Sequence, residues 1–216
     1  SNQEAGMPEG TVHSELLRRP GKLYVLASHF HPDHFNKEVL QWREQRPDII
    51  YIFSKDILRH RRAQKEDAVW LKKGEEYKDE TLSVRAFGST DVGVSFLLQT
   101  GGKKIFHAGD LNNWHWMDES TEAEWKGAEK NFLHELDDLY AYTPEVDVAM
   151  FPVDPRLGKG YMRGAGQFVT KIKTHIFVPM HFTPEYAKAN AFRDFAEAHG
   201  VRFVSLTHRG QKIEIE

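Results

Sequence analysis

The sequence contains no cysteine. Disulfide staples are therefore excluded, and any metal centre has to be built from nitrogen and oxygen donors. Long apolar runs are missing too. None approaches the roughly 20 residues needed to span a bilayer, and the first residues carry no signal-peptide core. A cytoplasmic location with no membrane partner is the expectation. An excess of one charge is also lacking: Lys+Arg 29 against Asp+Glu 32 leaves a net charge of -3. No polybasic field advertises nucleic acid, so a nucleic-acid partner would need a local basic groove on an acidic protein.

What is present is ordinary in bulk. With 216 residues, 40% hydrophobic and 28% charged, the chain can bury a substantial core as one domain over residues 1–216. Residues 1–22 are polar and turn-rich (Gly6, Pro8, Gly10, Pro20, Gly21) and read as a lead-in loop. A buried strand is expected over 23–28. A helix capped by Asn36 and carrying Val39, Leu40 and Trp42 ends before Pro47. A second buried strand over 49–53 precedes a short basic helix containing Arg59, Arg61 and Arg62. Further strands are expected at 68–71, 81–87, 93–99 and 104–108, the last two joined through Thr100-Gly101-Gly102.

From Thr121 the period becomes helical, with Trp125, Ala128, Phe132, Leu136 and Leu139 on one stripe closed by Pro144. A strand over 146–151, a helix near 165–173 and a strand over 176–180 follow. A last helix over about 185–199 is expected to bury Tyr186, Ala189, Phe192, Phe195 and Ala196, and Gly200 stops it. Short strands over 202–206 and 211–215 close the chain. Strands alternating with helices in two blocks specify an α/β architecture.

One segment carries chemistry. Ser28-His29-Phe30-His31-Pro32-Asp33-His34 packs three imidazoles and a carboxylate directly behind the first strand. Such ligands suit zinc, iron or manganese. In an extended segment His29, His31 and Asp33 would converge while His34 turns the other way, as two neighbouring metal ions require. Potential ligands recur beyond later strands, at Asp110 after Phe106-His107-Ala108-Gly109 and at His181 after Val178-Pro179-Met180. Strand ends on one rim are where a fold assembles a site from distant sequence.

With the H-x-H-x-D-H signature at His29–His34, the later Gly109-Asp110 and the terminal His181, the sequence resembles the metallo-β-lactamase superfamily over about residues 23–216. The stretch around Val94-Ser95-Phe96 and Ile105–Leu111 is similar to its lactonase-like branch. The resemblance implies a four-layer αββα sandwich with one or two metal ions at its edge, zinc first, manganese or iron as alternatives. It implies that His29 and His31 bind one metal, that Asp33, His34 and His181 bind the second, and that Asp110 bridges them. A hydroxide held by the metals would be the nucleophile, its pKa drawn toward ~7, with Asp33 orienting it or taking up a proton.

Two departures stand out. The family supplies a third histidine to the first metal from the loop that here reads Phe87-Gly88-Ser89-Thr90-Asp91-Val92-Gly93. Either Asp91 or a water takes its place, or a single metal is held by Asp33, His34 and His181; an Asp91 ligand favours manganese or iron. Family members also open with more strands, so the chain is expected to lack a native beginning, or one sheet has an exposed edge.

Other candidates have two readings each. His107 is a ligand or a group bonding a ligand carboxylate. Ser89 and Asp154 line the site, or Asp154 caps the Pro152–Pro155 turn. Trp114, with His115 and Trp116, walls a pocket or simply packs. The Arg59-His60-Arg61-Arg62 run meets an anionic substrate or, the favoured reading, is a solvated helix face. His13, His60, His134, His175, His199 and His208 are surface or core histidines, and glycines 158, 160, 164 and 166 form a flexible loop near the site. The expected function is hydrolysis of an ester, lactone or phosphoester bond of a small molecule. An RNA-processing nuclease, predicted to bind RNA in a salt-sensitive way, and a metal-binding domain with little catalysis are the alternatives.

Overall fold

A computed structural model describes Val12 and residues 14–215. Expectations for Gly6, Pro8, Gly10 and His13 fall outside the described residues. The chain forms two compact units, one running to Leu71 and resuming at Thr207, the other Lys72–Leu206.

The first unit begins with α1 (Ser14–Leu17) and holds an all-parallel sheet in which β2 (Ile50–Ser54) lies between β1 (Tyr24–Ala27) and β3 (Val69–Leu71). Parallel neighbours need crossovers, supplied by a 3-10 helix over Lys37–Glu44 and by α2 (Lys55–Arg59). The first is the expected helix wound more tightly, and Asn36 caps it by accepting from the Glu38 amide at 3.0 Å. Arg61 and Arg62 lie beyond α2, with Arg61 in the left-handed region at φ 54°. Leu17, Phe35, Val39, Tyr51, Phe53 and Ile57 fill the core. The described part of the lead-in is anchored rather than loose. Arg46, buried, donates to the carbonyls of Leu17 (3.1 Å), Arg19 (2.7 Å) and Gly21 and pairs with Asp48. Its fork satisfies three backbone acceptors that a loop would otherwise leave to water.

The second unit is built on β4 (Glu76–Lys78), β5 (Ser83–Phe87), β6 (Ser95–Thr100), β7 (Lys103–His107), β8 (Glu145–Pro152), β9 (Lys173–Met180) and β10 (Arg202–Phe203), in spatial order 10-9-8-7-6-5-4. The sheet is antiparallel from β4 to β7 and parallel from β7 to β10. The β6–β7 hairpin turns at Gly101 and Gly102, with φ of 55° and 75°, as the sequence expects. α3 (Glu122–Tyr142) starts in a capping box of Thr121 with Glu124 and buries Phe132, Leu136 and Leu139. α4 (Arg163–Lys171) returns the chain from β8 to β9. The core stacks Phe106, Phe151, Phe168, Phe177, Phe192 and Phe203.

The last expected helix is broken into α5 (Tyr186–Asn190) and α6 (Arg193–Ala198). Asn190 explains the break. Its side chain donates to the Leu206 carbonyl at 2.8 Å and accepts from the Leu206 amide at 3.1 Å. That pairing ends one helix and also shortens the expected 202–206 strand, because Leu206 spends its backbone groups on a side chain. The break turns Phe195 outward, 42% exposed, and leaves Tyr186 half-buried, while Ala189, Phe192 and Ala196 stay buried. Residues 211–215 form no strand. The Gln211 side chain instead accepts from the amide and hydroxyl of Thr207 at 2.9 and 3.2 Å.

Candidate metal centre

In the first unit the ligand-rich segment starts where β1 ends. It is not extended: the amides of His34 and Phe35 both bond the His31 carbonyl, at 3.0 and 2.8 Å, so residues 31–34 turn. Pro32, with φ fixed near −65°, sits where such a turn needs it. The turn brings His34 to His29 instead of away from it, with ring centroids 4.0 Å apart, and His31 stands edge-on to His29 at 4.7 Å. The expectation that His34 faces the other way is thereby corrected. Asp33, 70% exposed, reaches the His34 imidazole at 3.4 Å. Donor atoms of His29 and His34 lie within 4.8 Å of each other, as do those of Asp33 and His34. His29 is fully buried and its Nδ1 meets the Ser28 hydroxyl at 3.0 Å, a contact that fixes how the ring is turned. The Asp56 carboxylate accepts from the Phe30 amide at 3.0 Å, and His60 stacks on Phe30 at 3.7 Å, so α2 props the segment.

In the second unit the parallel ladder aligns Ile105 with Val148 and Val148 with Ile176. The carboxyl ends of β7, β8 and β9 therefore share one rim, the usual place for a site on such a sheet. Asp110, Asp154 and His181 each follow one of these strands. They meet: His181 Nδ1 lies 2.9 Å from Asp154 and His181 Nε2 lies 3.3 Å from Asp110 Oδ1. Burial alone would lower the His181 pKa, but the hydrogen bonds with Asp110 and Asp154 outweigh it and push it up to about 9. Burial would raise Asp154, but its bonds with His181 and Arg156 pull it down to about 2. His181 holds φ at 65°, a strained backbone for a non-glycine residue.

Both readings of Asp154 hold at once. It accepts from the Arg156 amide at 3.0 Å, capping the turn, and it orients His181. Trp114 stands edge-on to the His181 ring at 5.5 Å and donates its indole N–H to the Asp110 carbonyl at 2.8 Å. Trp116 stacks beyond it with φ 43°. His107 Nδ1 accepts from the Gly109 amide at 3.1 Å and so shapes the turn before Asp110. Asp91 and Asp110 offer carboxylate oxygens within 4.8 Å of each other, and the Ser89 hydroxyl accepts from the Asp91 amide at 3.4 Å.

The glycine-rich stretch is tight packing rather than a flexible loop. A Cβ on Gly158, Gly160 or Gly164 would lie 2.2 Å from Asp118, 2.9 Å from His115 or 2.0 Å from Asn112. These glycines let the loop behind Asp110 lie flat on the 155–164 segment.

The donor set fits a metal. Two atoms bound to one ion at ~2.0–2.2 Å stand ~3.3 Å apart, which is the spacing of His181 Nε2 and Asp110 Oδ1. A carboxylate on the far nitrogen of a ligand histidine is the usual orienting arrangement, and Asp154 supplies it. Residues that the sequence did not single out are Ser28 and Arg156. A hydroxyl beside a histidine and a cation two residues past Asp154 were the available signals.

A family model described as "Beta-lactamase superfamily domain" matches residues 12–182. Igni18, a metallo hydrolase from the archaeon Ignicoccus hospitalis, is similar with a TM-score of 0.58 and 17% identity over 87% of this chain and 77% of its own. CmlA, a diiron β-hydroxylase from Streptomyces venezuelae, gives 0.58 and 15%, over 88% of this chain and 45% of that longer protein. Zn(2+)-bound PqqB from Methylobacterium extorquens gives 0.52 and 16%, over 89% and 73%. At these identities the likeness is one of fold. No curated protein matches the chain.

Proposed function

This chain belongs to the beta-lactamase superfamily, and from that premise we propose that it is a metal-dependent hydrolase cleaving an ester, lactone or phosphoester bond of a small molecule. The observation that carries the reading is the Asp154–His181–Asp110 relay at the rim of the second unit, an imidazole held by one carboxylate and aimed at another. The family resemblance assigns His29, His31, Asp33 and His34, and likewise Asp110 and His181, as metal ligands. Zinc is the first candidate, as one or two ions, with manganese or iron next.

A bound divalent ion would supply Lewis-acid polarisation of the scissile bond and acidify water toward pKa ~7. The residues do the rest. Asp154 keeps His181 presenting Nε2, with its own charge secured by Arg156. Trp114 covers one side of His181 and pins the Asp110 carbonyl, limiting water there. Asp33, solvent-exposed beside His34, would orient water or accept its proton.

Elemental analysis of purified protein, paired with lactone, ester and phosphodiester substrates including RNA, tests the reading. Bound metal with turnover abolished in His31→Ala and Asp110→Ala is the expected result. Iron without hydrolysis would shift the reading to oxidative chemistry, and failure to take up metal under saturating conditions would overturn it.

A further inference from the structure

We propose that the groove between α4 and α6 is a self-association surface, on which two copies of this chain pair about a two-fold axis with Phe195 as the anchor. The surface belongs to the second unit, and the proposal does not depend on the metal-dependent reading above.

The groove is a cavity of about 770 Å³ whose apolar lining is Leu133, Met162, Gly166, Ala191, Phe192 and Phe195. By its sequence pattern Phe195 belongs to a buried stripe with Phe192 and Ala196. The break after Asn190 turns it outward instead, so an aromatic ring faces solvent while those two neighbours stay buried.

That ring is not loose. It stacks on Phe192 at 5.5 Å and on His199 at 4.3 Å, and His199 Nδ1 donates to the Phe195 carbonyl at 2.8 Å. Below it lies the bare backbone of Gly166, where a Cβ would stand 3.4 Å from the ring. A side chain already held in place loses little rotamer freedom when a partner covers it. Single exposed apolar residues are ordinary, but a fixed aromatic ring continuous with an apolar groove has the character of an interface anchor.

The charges select the partner. Arg163 and Lys171 stand on the α4 rim of the groove and Asp194 on the α6 rim. Arg163 is engaged by Glu129, and Lys171 by Asp137 in a pair exposed enough to be worth little. The Asp194 carboxylate has no partner among the described residues. A partner of one sign would satisfy one rim and be repelled by the other, whereas a second copy satisfies both. A two-fold axis along the groove lays the α6 rim of each copy on the α4 rim of the other. Asp194 then meets the partner's Lys171, twice by symmetry, and the two Phe195 rings close on each other.

Sedimentation velocity of the full chain over a concentration series tests this. Wild type should dimerise with a Kd at or below ~10 µM. Phe195→Asp should raise that Kd at least ~30-fold, with the circular-dichroism spectrum unchanged. Asp194→Lys should raise it about tenfold, and the double variant Asp194→Lys with Lys171→Asp should regain wild-type association. Phe195 and Asp194 are both exposed, so neither change threatens the fold.

A wild type still monomeric at about ten times that Kd, or a dimer that survives Phe195→Asp, would overturn the proposal. So would a double variant that fails to recover, which would remove the two-fold pairing. A monomer that instead binds decanoate, with binding lost in Phe195→Asp, would overturn it by giving the groove to a small apolar ligand.

Discussion

Asp154 is 1% exposed in its side chain and still ionised, because four nitrogen groups from two residues converge on it. Arg156 donates through its backbone amide, Nε and Nη2, and His181 occupies the remaining direction. A carboxamide keeps the shape but not the charge. Asp154→Asn is therefore expected to lower metal affinity about 10–100-fold with the fold retained, as removal of such orienting partners does; metal titration followed by circular dichroism of the variant checks both. At this scale the sequence was partly legible. His29, His31, His34, Asp110 and His181 could be singled out because imidazole and carboxylate types in order point to metals. Arg156 could not, since a guanidinium acquires its role only from what folding places opposite it. The direction of His34 was misjudged because alternation was assumed where Pro32 imposes a turn.

Secondary-structure elements were legible where one pattern decided them. The stripe from Phe132 to Leu139 and the Gly101-Gly102 turn are of this kind. The break after Asn190 was not, because it depends on Leu206, distant in sequence. Glycines after 157 read as mobile for a similar reason: sequence gives their freedom but not the side chains pressed against them. Gly164→Ala would drive a methyl into Asn112, which is fully buried and cannot swing away. It should cost about 1–3 kcal/mol, measured by denaturant unfolding.

Glu129 ties three elements together, accepting from Arg163 of α4, from Gln167 at 2.9 Å and from Asn113 at 2.8 Å. The bond from Arg163, against the opposing effect of burial, holds its carboxyl down to about 2. A depressed pKa means stability that is complete above the unfolded value near 4.5 and lost as pH falls toward about 2. Glu129→Gln should thus be destabilised by about 1–3 kcal/mol at pH 7, with the gap to wild type closing below about pH 4. A gap independent of pH would contradict the charge-based account.

Across the whole molecule, the alternation of strands and helices predicted the α/β class, and the family match agrees. It could not predict that the chain forms two compact units, each with its own sheet. The site in the second unit follows from topology: parallel β7, β8 and β9 end together, so the residues after them meet. That is why Asp110 and His181 were readable as candidates that meet at the strand ends, and why Asp154 kept two readings until its partners were known.

The most direct test of the metal centre is calorimetric titration of chelator-stripped protein with Zn2+ and Mn2+, for wild type and His181→Ala. The account predicts saturable stoichiometric binding to wild type. It also predicts proton release at neutral pH, since a His181 raised to about 9 must lose its proton to bind. In His181→Ala, binding should weaken and that proton release should disappear. Absence of binding to wild type, or identical binding and proton release in the variant, would contradict it.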